Sequence, residues 1–453
     1  PMILCSLSDD ELQNLEKKLI KKLDKLLLAA LFVGYYMCIM DRANYAAAKT
    51  AGVENDLGIA GNKSLCALSV YYVGNIVGQI PSNLWMAKMG KPAHILSVGM
   101  AVFGILSVCS GVTQNFEGIV ACRFLLGLFE SCYFPGATYF MSSWYTRKEL
   151  AARNAACQVF FSAQFLASAS SSLIVAVLLK VMDGATKDNS LVAPWRCLYY
   201  VVGLIARTVR ETLFGPYVMP NLPETTRFLA ERELAMAKWR LYKDAGSDDG
   251  SKASWKGLQL ALKDGKAWIF ALLSFAFTSF GSVAIVFPTV VAGLGYSKVK
   301  TNLLTAPPFI LAAVLASVNG EWAKRSQRRY PHIIVPLCVA FVAFIIAATT
   351  VIGALRYFSI MFMVIGNTAY PIVMTWLANS LVRPASLRAS AIAAVSVAGC
   401  VNHIYSPFIF QEKYAPRMRL PLSLMAGFVA LAMLTATAIL LVLTAENRRL
   451  DAG

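Results

Sequence analysis

Apolar stretches of about 20 residues recur along the whole chain, and this repetition constrains the fold more than any other feature. Such a stretch is long enough for a helix to cross the hydrocarbon core of a bilayer. The composition agrees, because 57% of the 453 residues are hydrophobic and only 15% are charged. A soluble protein would carry about 25% charged residues. The sequence therefore predicts a helical protein that crosses the membrane many times.

The apolar runs predict twelve transmembrane helices, and a long polar insert divides them into six and six. We therefore expect an all-α membrane protein built from two six-helix bundles. The predicted spans lie near residues 26–45, 64–84, 93–113, 117–140, 154–179, 197–219, 268–293, 302–322, 333–353, 357–379, 387–410 and 421–443. The predicted parts are a cytoplasmic N-terminal tail (1–25), the first bundle (26–219), a cytoplasmic linker (220–266), the second bundle (267–444) and a cytoplasmic C-terminal tail (445–453).

Lysine and arginine outnumber the acidic residues and give a formal net charge of +17. Most of them lie between the predicted spans, where they orient the chain and contact anionic lipid. Their distribution predicts that both termini are cytoplasmic, and the run at 16–32 is interpreted as an amphipathic lead-in to the first span rather than a signal peptide. The expected partner is the lipid bilayer and not nucleic acid, and we expect a monomer.

The reactive residue types show no pattern that is typical of an enzyme. The ten cysteines lack the spacing of a metal site, and most of them fall inside apolar spans. The chain contains no HExxH, GxSxG or P-loop motif. We therefore expect no catalytic activity, no metal and no cofactor.

Four charged residues lie in the interiors of the predicted first and fourth spans, where an ionised group costs at least about 2.5–3.5 kcal/mol. Arg123 and Glu130 share one face of the fourth span, but two turns, about 10.5 Å, separate them. Asp41 and Arg42 lie near the outer end of the first span. Each charge needs a partner on another helix or a ligand. The spacing leaves two interpretations of these charges open: they form ion pairs that hold helices together, or they form a site in one shared cavity.

Two motifs recur about half a chain apart, which indicates an internal duplication. LWMAKMGKPAHI (84–95) follows the second span and resembles EWAKRSQRRYPHI (321–333) after the eighth span. SSWYTRKELAARNA (142–155) resembles NSLVRPASLRASA (379–391) in the same way. Parallel six-span halves are typical of one architecture of secondary transporters.

Several stretches resemble the major facilitator superfamily, and within it the anion:cation symporters that include the fungal allantoate permeases. The stretches that carry the resemblance are KKLDKLLL before the first span, DRANYAAAKTAGVENDLG (41–58), QIPSN (79–83), RFLLGLFESCYFPG (123–136), SSWYTRKELAAR (142–153), NLPETTRFL (221–229) and AENRR (445–449). The resemblance implies two bundles around a central site that opens alternately to each side. It also implies a small carboxylate or related organic anion as the substrate.

The resemblance further implies roles for the buried charges. Arg123 would bind the substrate carboxylate, Arg42 would support the site, and Asp41 and Glu130 would carry protons. Five further residues are candidates for substrate binding: Gln158, Gln164, Trp376, Asn379 and Asn402. Trp376 and Asn402 match positions that the family uses. For each of the five, packing between helices remains the alternative.

The expected function is therefore proton-coupled uptake of a small organic anion across the plasma membrane, with the proton gradient as the coupling agent. One alternative is an uncoupled facilitator or exchanger. The other is a transport-incompetent relative that acts as a sensor or scaffold.

The sixth span departs from the family pattern, because Arg207, Arg210 and Glu211 interrupt a helix that the fold places at the periphery. We interpret these charges as degeneration, and an acidic or cavity-facing partner elsewhere in the fold is the alternative. His403, in the eleventh span, is interpreted as a packing residue rather than a proton relay.

Overall fold

The structure is a computed structural model, and the part of the chain that it describes is helical and without strands. Within the ranges that follow, the structure does not describe every side chain. The described residues are 8–59, 61–89, 92–142, 144–146, 156–182, 193–213, 229–245, 255–284, 286–326, 328–350, 352–380, 385–414 and 417–452.

The first half contains six helical spans in the order that the sequence predicts. They are span 1 (Ala29–Ala51), span 2 (Asn62–Met89), span 3 (Pro92–Val112), span 4 (Phe116–Glu130 and Tyr133–Ser142), span 5 (Ala156–Val181) and span 6 (Pro194–Leu213).

The second half repeats this order, with more interruptions within its helices. Its spans are span 7 (Gly265–Gly281, Ser282–Ala284 and Phe287–Ala292), span 8 (Lys298–Ser326), span 9 (Tyr330–Thr349), span 10 (Gly353–Met363, Val364–Ala369 and Tyr370–Ser380), span 11 (Ala385–Cys400 and Asn402–Ile409) and span 12 (Arg419–Ala452).

Nine helices among the described residues are long and apolar enough to cross a membrane. Spans 2, 4 and 6 are helical but are not among those nine. Span 4 is split at Glu130, and span 6 carries the charges noted above. The predicted all-α fold with two sets of spans is confirmed.

Spans 2 and 4 approach each other at their backbones. A methyl group added at Gly127 would overlap the carbonyl oxygen of Tyr71, and one at Gly74 would overlap that of Phe124. Small residues permit this approach within membranes, where packing rather than the hydrophobic effect holds helices together. The contact fixes the position of Tyr71 beside the charged residues of spans 1 and 4.

The segment before span 1 extends the first helix. Helix Asp9–Leu23 continues through a π-helical step, Asp24–Leu28, into span 1. Helix Glu231–Ala245 of the linker packs against it, with ion pairs from Glu16 to Arg240 (3.1 Å) and from Lys22 to Glu233 (2.9 Å). The order of these contacts makes the two helices antiparallel.

The two halves contact each other along spans 5 and 8, and between span 2 and Asn402–Ile409 of span 11. A further contact joins the end of span 1 to the start of span 8. There the side chain of Asn302, which is fully buried, donates from Nδ2 to Oγ1 of Thr50 at 2.9 Å. The two halves are therefore joined at this end, which is the side that the sequence predicts to be outside.

Span 6 packs one apolar face on spans 1 and 3 and exposes Arg207 and Glu211, whereas Arg210 is half-buried. Nε of Arg207 lies 3.1 Å from Oε1 of Glu211, one turn further along, and the two side chains are 73% and 55% exposed. Within the described part of the chain, Glu211 is the acidic residue that pairs with Arg207. Among the residues that the structure describes, Arg207 therefore has no cavity-facing partner.

Candidate functional site

The four charged residues of spans 1 and 4 form two ion pairs, and each pair joins the two helices. Nε of Arg42 lies 2.8 Å from Oε1 of Glu130, and Nη1 of Arg123 lies 3.9 Å from Oδ2 of Asp41. Each charge thus has a partner on the other helix, as the two-turn separation of Arg123 and Glu130 requires.

The helical geometry explains why neighbouring residues have different partners. Asp41 and Arg42 are consecutive in span 1, and consecutive side chains on an α-helix point about 100° apart. Arg123 and Glu130 lie seven residues apart and therefore share a face of span 4. Asp41 therefore pairs with Arg123, and Arg42 pairs with Glu130, which lies two turns further along the same face of span 4.

The Asp41–Arg123 pair is sealed inside the first half, with 0% and 2% of the two side chains exposed. Oδ1 of Asp41 accepts a hydrogen bond from Ser107 of span 3 (2.9 Å) and a long one from Asn44 (3.5 Å). The Arg123 guanidinium lies over the ring of Tyr45, 4.7 Å from its centre. Hydrogen bonds and an opposite charge make a buried charge tolerable. All of these contacts come from residues of the first half, so the pair is internal to that half.

Two further tyrosines complete the enclosure of Arg123. Nη2 of Arg123 donates to the hydroxyl of Tyr199 in span 6 at 3.4 Å, and the rings of Tyr71 and Tyr199 lie 6.0 Å from the guanidinium. Aromatic faces attract a guanidinium electrostatically.

The Arg42–Glu130 pair is half open. Glu130 is fully buried, whereas 27% of the Arg42 side chain is exposed. The Arg42 guanidinium also lies 5.5 Å from the centre of the Tyr71 ring. Of the two arginines, Arg42 is therefore the one that a solute can reach.

Glu130 is the last residue of a helix, and this break has a local cause. The helix Phe116–Glu130 ends in a turn before Tyr133–Ser142 begins. Pro135 lacks the N–H that would donate to the carbonyl of Ser131 in a continuous helix. The sequence thus places the carboxyl group at an interruption of span 4.

The other candidates from the sequence occupy different environments. Asn402 is fully buried, and its Nδ2 donates to the carbonyl of Thr278 in span 7. Trp376 is 7% exposed and packs edge-on against Phe270 within the second half, 5.9 Å between ring centres. The Trp376 ring therefore contributes to the core of that half.

The remaining three candidates are all glutamine or asparagine. Gln164, in span 5, is partly exposed, and its backbone carbonyl accepts a hydrogen bond from the Ser168 hydroxyl. Asn379 is exposed at the end of span 10, and with its amide oxygen turned toward Arg329 it accepts from Nη1 at 3.2 Å. The side chain of Gln158 lies outside the described residues.

Sequence reasoning missed the polar and aromatic residues that surround the ion pairs. Ser107, Tyr45, Tyr71 and Tyr199 lie in apolar runs that read as ordinary membrane helices. Tyr45 follows Asp41 by four residues, one turn along the same face, and this spacing is the signal that could have identified it.

No group of three or more His, Cys, Asp or Glu side chains in the described ranges could hold a metal ion.

Two helical halves with a charged, partly accessible pair near mid-span define a membrane transporter. The Major Facilitator Superfamily model matches residues 31–407. The chain belongs to this superfamily.

Relatives of the chain are fungal transporters. It is 31% identical over 412 residues to the major facilitator-type transporter hxnP of Emericella nidulans, covering 89% of this chain and 80% of that protein. It is 30% identical to the MFS-type transporter cnsO of Penicillium expansum, over 96% and 84% of the two chains. It is also 26% identical to the high-affinity nicotinic acid transporter of Saccharomyces cerevisiae, over 78% and 64%.

A solved structure shows the same fold. A bacterial homolog of the human lysosomal transporter Spinster, in an inward-facing and unoccupied conformation, superposes with a TM-score of 0.67. The match covers 91% of this chain and 97% of the bacterial one at 16% sequence identity. The superfamily, the fold and the absence of enzymes among these named relatives agree with the sequence analysis.

Proposed function

We propose that the protein takes up a small organic anion together with a proton, by alternating access, as a member of the anion:cation symporter group that includes the allantoate permeases. The observation that carries this proposal is the half-open pair of Arg42 and Glu130. Arg42 pairs with Glu130 but is partly exposed, and a substrate carboxylate that replaces Glu130 would bind the guanidinium through two hydrogen bonds.

The same pair offers a coupling mechanism. An ionised Glu130 holds Arg42, so a substrate carboxylate must compete with it. Protonation of Glu130 removes this competition and leaves Arg42 with its full charge for the substrate. The proton and the anion therefore favour each other's binding, which is the requirement for symport.

The proposed roles of the two arginines follow their exposure. Arg42 makes the first contact with the substrate carboxylate. Arg123, which the resemblance assigned to the carboxylate, acts through Asp41 and the tyrosines around it. Asp41 is the second proton-carrying group, and its titration would release Arg123. Asn402, Gln164, Gln158, Trp376 and Asn379 stay as proposed contributors to substrate binding.

A relative's name supports the choice of substrate class. Nicotinic acid, which the yeast relative is named for, is a carboxylic acid. We also propose that the protein lies in the plasma membrane with both termini in the cytoplasm, and the distribution of the basic residues supports the orientation of the termini.

The test is uptake into proteoliposomes that hold the purified full chain under an imposed pH gradient. Proton-coupled symport predicts that a labelled carboxylate accumulates when the outside is acidic, and that it leaks out again when the gradient is collapsed. Equilibration without accumulation would indicate a facilitator or exchanger. Absence of any flux, with intact folded protein in the vesicles, would indicate a sensor or scaffold.

A further inference from the structure

The two halves of the molecule differ in the charge that they bring to the centre. All four intramembrane charges of the site, on Asp41, Arg42, Arg123 and Glu130, belong to the first half. The apolar interiors of the second half contain no Asp, Glu, Lys or Arg, and they are the runs 268–297, 301–320, 330–355, 357–382, 389–411 and 420–445. A solute held at Arg42 therefore meets one accessible cation on one side and an uncharged wall on the other.

This uncharged wall meets the first half at His403. The His403 ring stacks on the ring of Tyr72 in span 2, with 4.5 Å between the ring centres and 29° between the planes. Both residues are half-buried. Nδ1 of His403 lies 3.4 Å from Nδ2 of Asn402. An amide NH₂ group donates, so this contact is a hydrogen bond in the tautomer that carries its proton on Nε2.

A continuous series of aromatic contacts joins Arg42 to His403. The Arg42 guanidinium lies 5.5 Å from the centre of the Tyr71 ring. Tyr71 meets Tyr72 edge-on, with 5.1 Å between centres and an interplanar angle of 89°. Tyr72 then stacks on His403. Aromatic rings therefore extend from Arg42 toward the second half, with Tyr71 buried and Tyr72 and His403 partly exposed.

We propose that Tyr72 and His403 form a specificity subsite for a planar, uncharged ring, so that the substrate is an aromatic or heteroaromatic monocarboxylate. This inference rests on the proposed function, because it presumes a carboxylate at Arg42. When the halves separate at the stack, Tyr72 and His403 each lose a ring partner. A planar ring attached to the carboxylate replaces the lost contact, and an aromatic contact contributes beyond the area that it buries. A second carboxylate would face a wall without a cation and is therefore disfavoured.

The test measures binding of four probe molecules to the purified full chain, as displacement of a labelled carboxylate substrate or as a shift in melting temperature. The probes are benzoate, its uncharged amide benzamide, the saturated analogue cyclohexanecarboxylate and the dicarboxylate terephthalate. We expect benzoate to bind about three- to tenfold more tightly than cyclohexanecarboxylate, and benzamide and terephthalate to bind at least about tenfold more weakly than benzoate.

The four probes separate failure of this inference from failure of the proposed function. Equal binding of benzoate and cyclohexanecarboxylate, with weak benzamide, would overturn the ring subsite and leave carboxylate recognition intact. Terephthalate as tight as benzoate would overturn the monocarboxylate assignment. Benzamide as tight as benzoate, or no binding of any carboxylate, would overturn both.

Variants assign the ring preference to the two residues. Tyr72→Leu and His403→Leu should bring benzoate and cyclohexanecarboxylate to within about twofold of each other while benzamide stays weak. His403→Phe keeps a flat ring and should keep the preference for benzoate. It tests the role of the ring even if the His403→Leu protein does not fold. Tyr405→Leu is the matched control, because Tyr405 lies on the same helix and its hydroxyl pairs with Ser279 inside the second half. Loss of the preference in Tyr405→Leu, or its retention in Tyr72→Leu, would contradict the assignment.

Discussion

Arg42 and Glu130 form a 2.8 Å ion pair whose two members differ in access, since 27% of the Arg42 side chain is exposed and Glu130 is fully buried. A carboxylate that enters the centre of the molecule can therefore reach the arginine of this pair but not of the other. Arg123, at 2% exposure, lies behind Asp41 and its tyrosines.

Arg42→Lys is expected to raise the substrate concentration for half-maximal uptake about tenfold, because an ammonium group replaces a guanidinium that binds a carboxylate through two hydrogen bonds. Arg123→Lys is the matched control. It should mainly lower the free energy of unfolding, by about 1–3 kcal/mol, since it breaks contacts inside the first half. Uptake kinetics and melting temperatures check both. Normal half-saturation in Arg42→Lys together with impaired half-saturation in a stable Arg123→Lys would return the carboxylate to Arg123.

Glu130→Gln is expected to keep substrate exchange and to lose accumulation driven by a pH gradient, because glutamine resembles a carboxyl group that is always protonated. Exchange should also lose the part of its pH dependence that Glu130 sets, since Arg42 no longer has a competitor that titrates. Glu117→Gln, an exposed acidic residue in the first turn of the same helix, should behave like the unmodified protein. The measurement is counterflow and net uptake in the same vesicles. Concentration of substrate by Glu130→Gln under a pH gradient alone would place the proton carrier elsewhere.

Gly127→Ala is expected to lower the free energy of unfolding by about 1–3 kcal/mol, because the added methyl group overlaps the carbonyl of Tyr71 and forces spans 2 and 4 apart. Gly427→Ala has open space around it and should be neutral or slightly stabilising, since alanine is the better helix former. Melting temperatures of the purified variants compare the two. Equal melting temperatures would show that the two spans are not held in backbone contact.

Cysteines at positions 50 and 302, in a background without the native cysteines, are expected to stop uptake once a short thiol-reactive linker joins them. The Thr50–Asn302 hydrogen bond connects the two halves at the predicted outer end, and the halves must separate there for substrate to enter. Cleavage of the linker by a reductant should restore uptake, and each single cysteine variant should be insensitive. Full uptake by linked protein would show that this contact persists throughout the transport cycle.

Replacing Arg207, Thr208, Arg210 and Glu211 together with leucine or valine is expected to raise the yield of membrane-inserted protein, because Arg207 and Glu211 face away from the bundle and lipid solvates charge poorly. Uptake should stay equal or increase. Inserted yield from a membrane fraction and uptake per inserted molecule are the two measurements. Unchanged yield with lost uptake would mean that these charges take part in transport.

Much of the fold follows from the sequence, because the length and polarity of each stretch are local properties. Span 9, for example, is predicted at 333–353 and observed at Tyr330–Thr349. The presence of the site is also predictable, since charges inside apolar runs need partners. The break of span 4 could have been anticipated from Pro135.

The pairing within the site could not be read from the sequence. Whether Asp41 or Arg42 faces the open region depends on the rotation of span 1 about its own axis. That rotation is set by packing against other spans. Residues such as Gly127 and Tyr45 take part in this packing, and nothing in the sequence distinguishes them from other residues of a membrane helix. The Thr50–Asn302 contact joins residues 252 positions apart, and no local pattern indicates it.

The confinement of all four charges to the first half has an electrical consequence. Two arginines and two ionised carboxylates sum to zero, so the empty site carries no net charge when the halves reorient. One added proton and one bound monocarboxylate also sum to zero, so the loaded site is equally neutral. The membrane potential exerts about 2.3 kcal/mol per elementary charge per 100 mV, and it acts only on net charge that moves. Transport at this stoichiometry would therefore produce no current and would run at the same rate in polarised and depolarised vesicles.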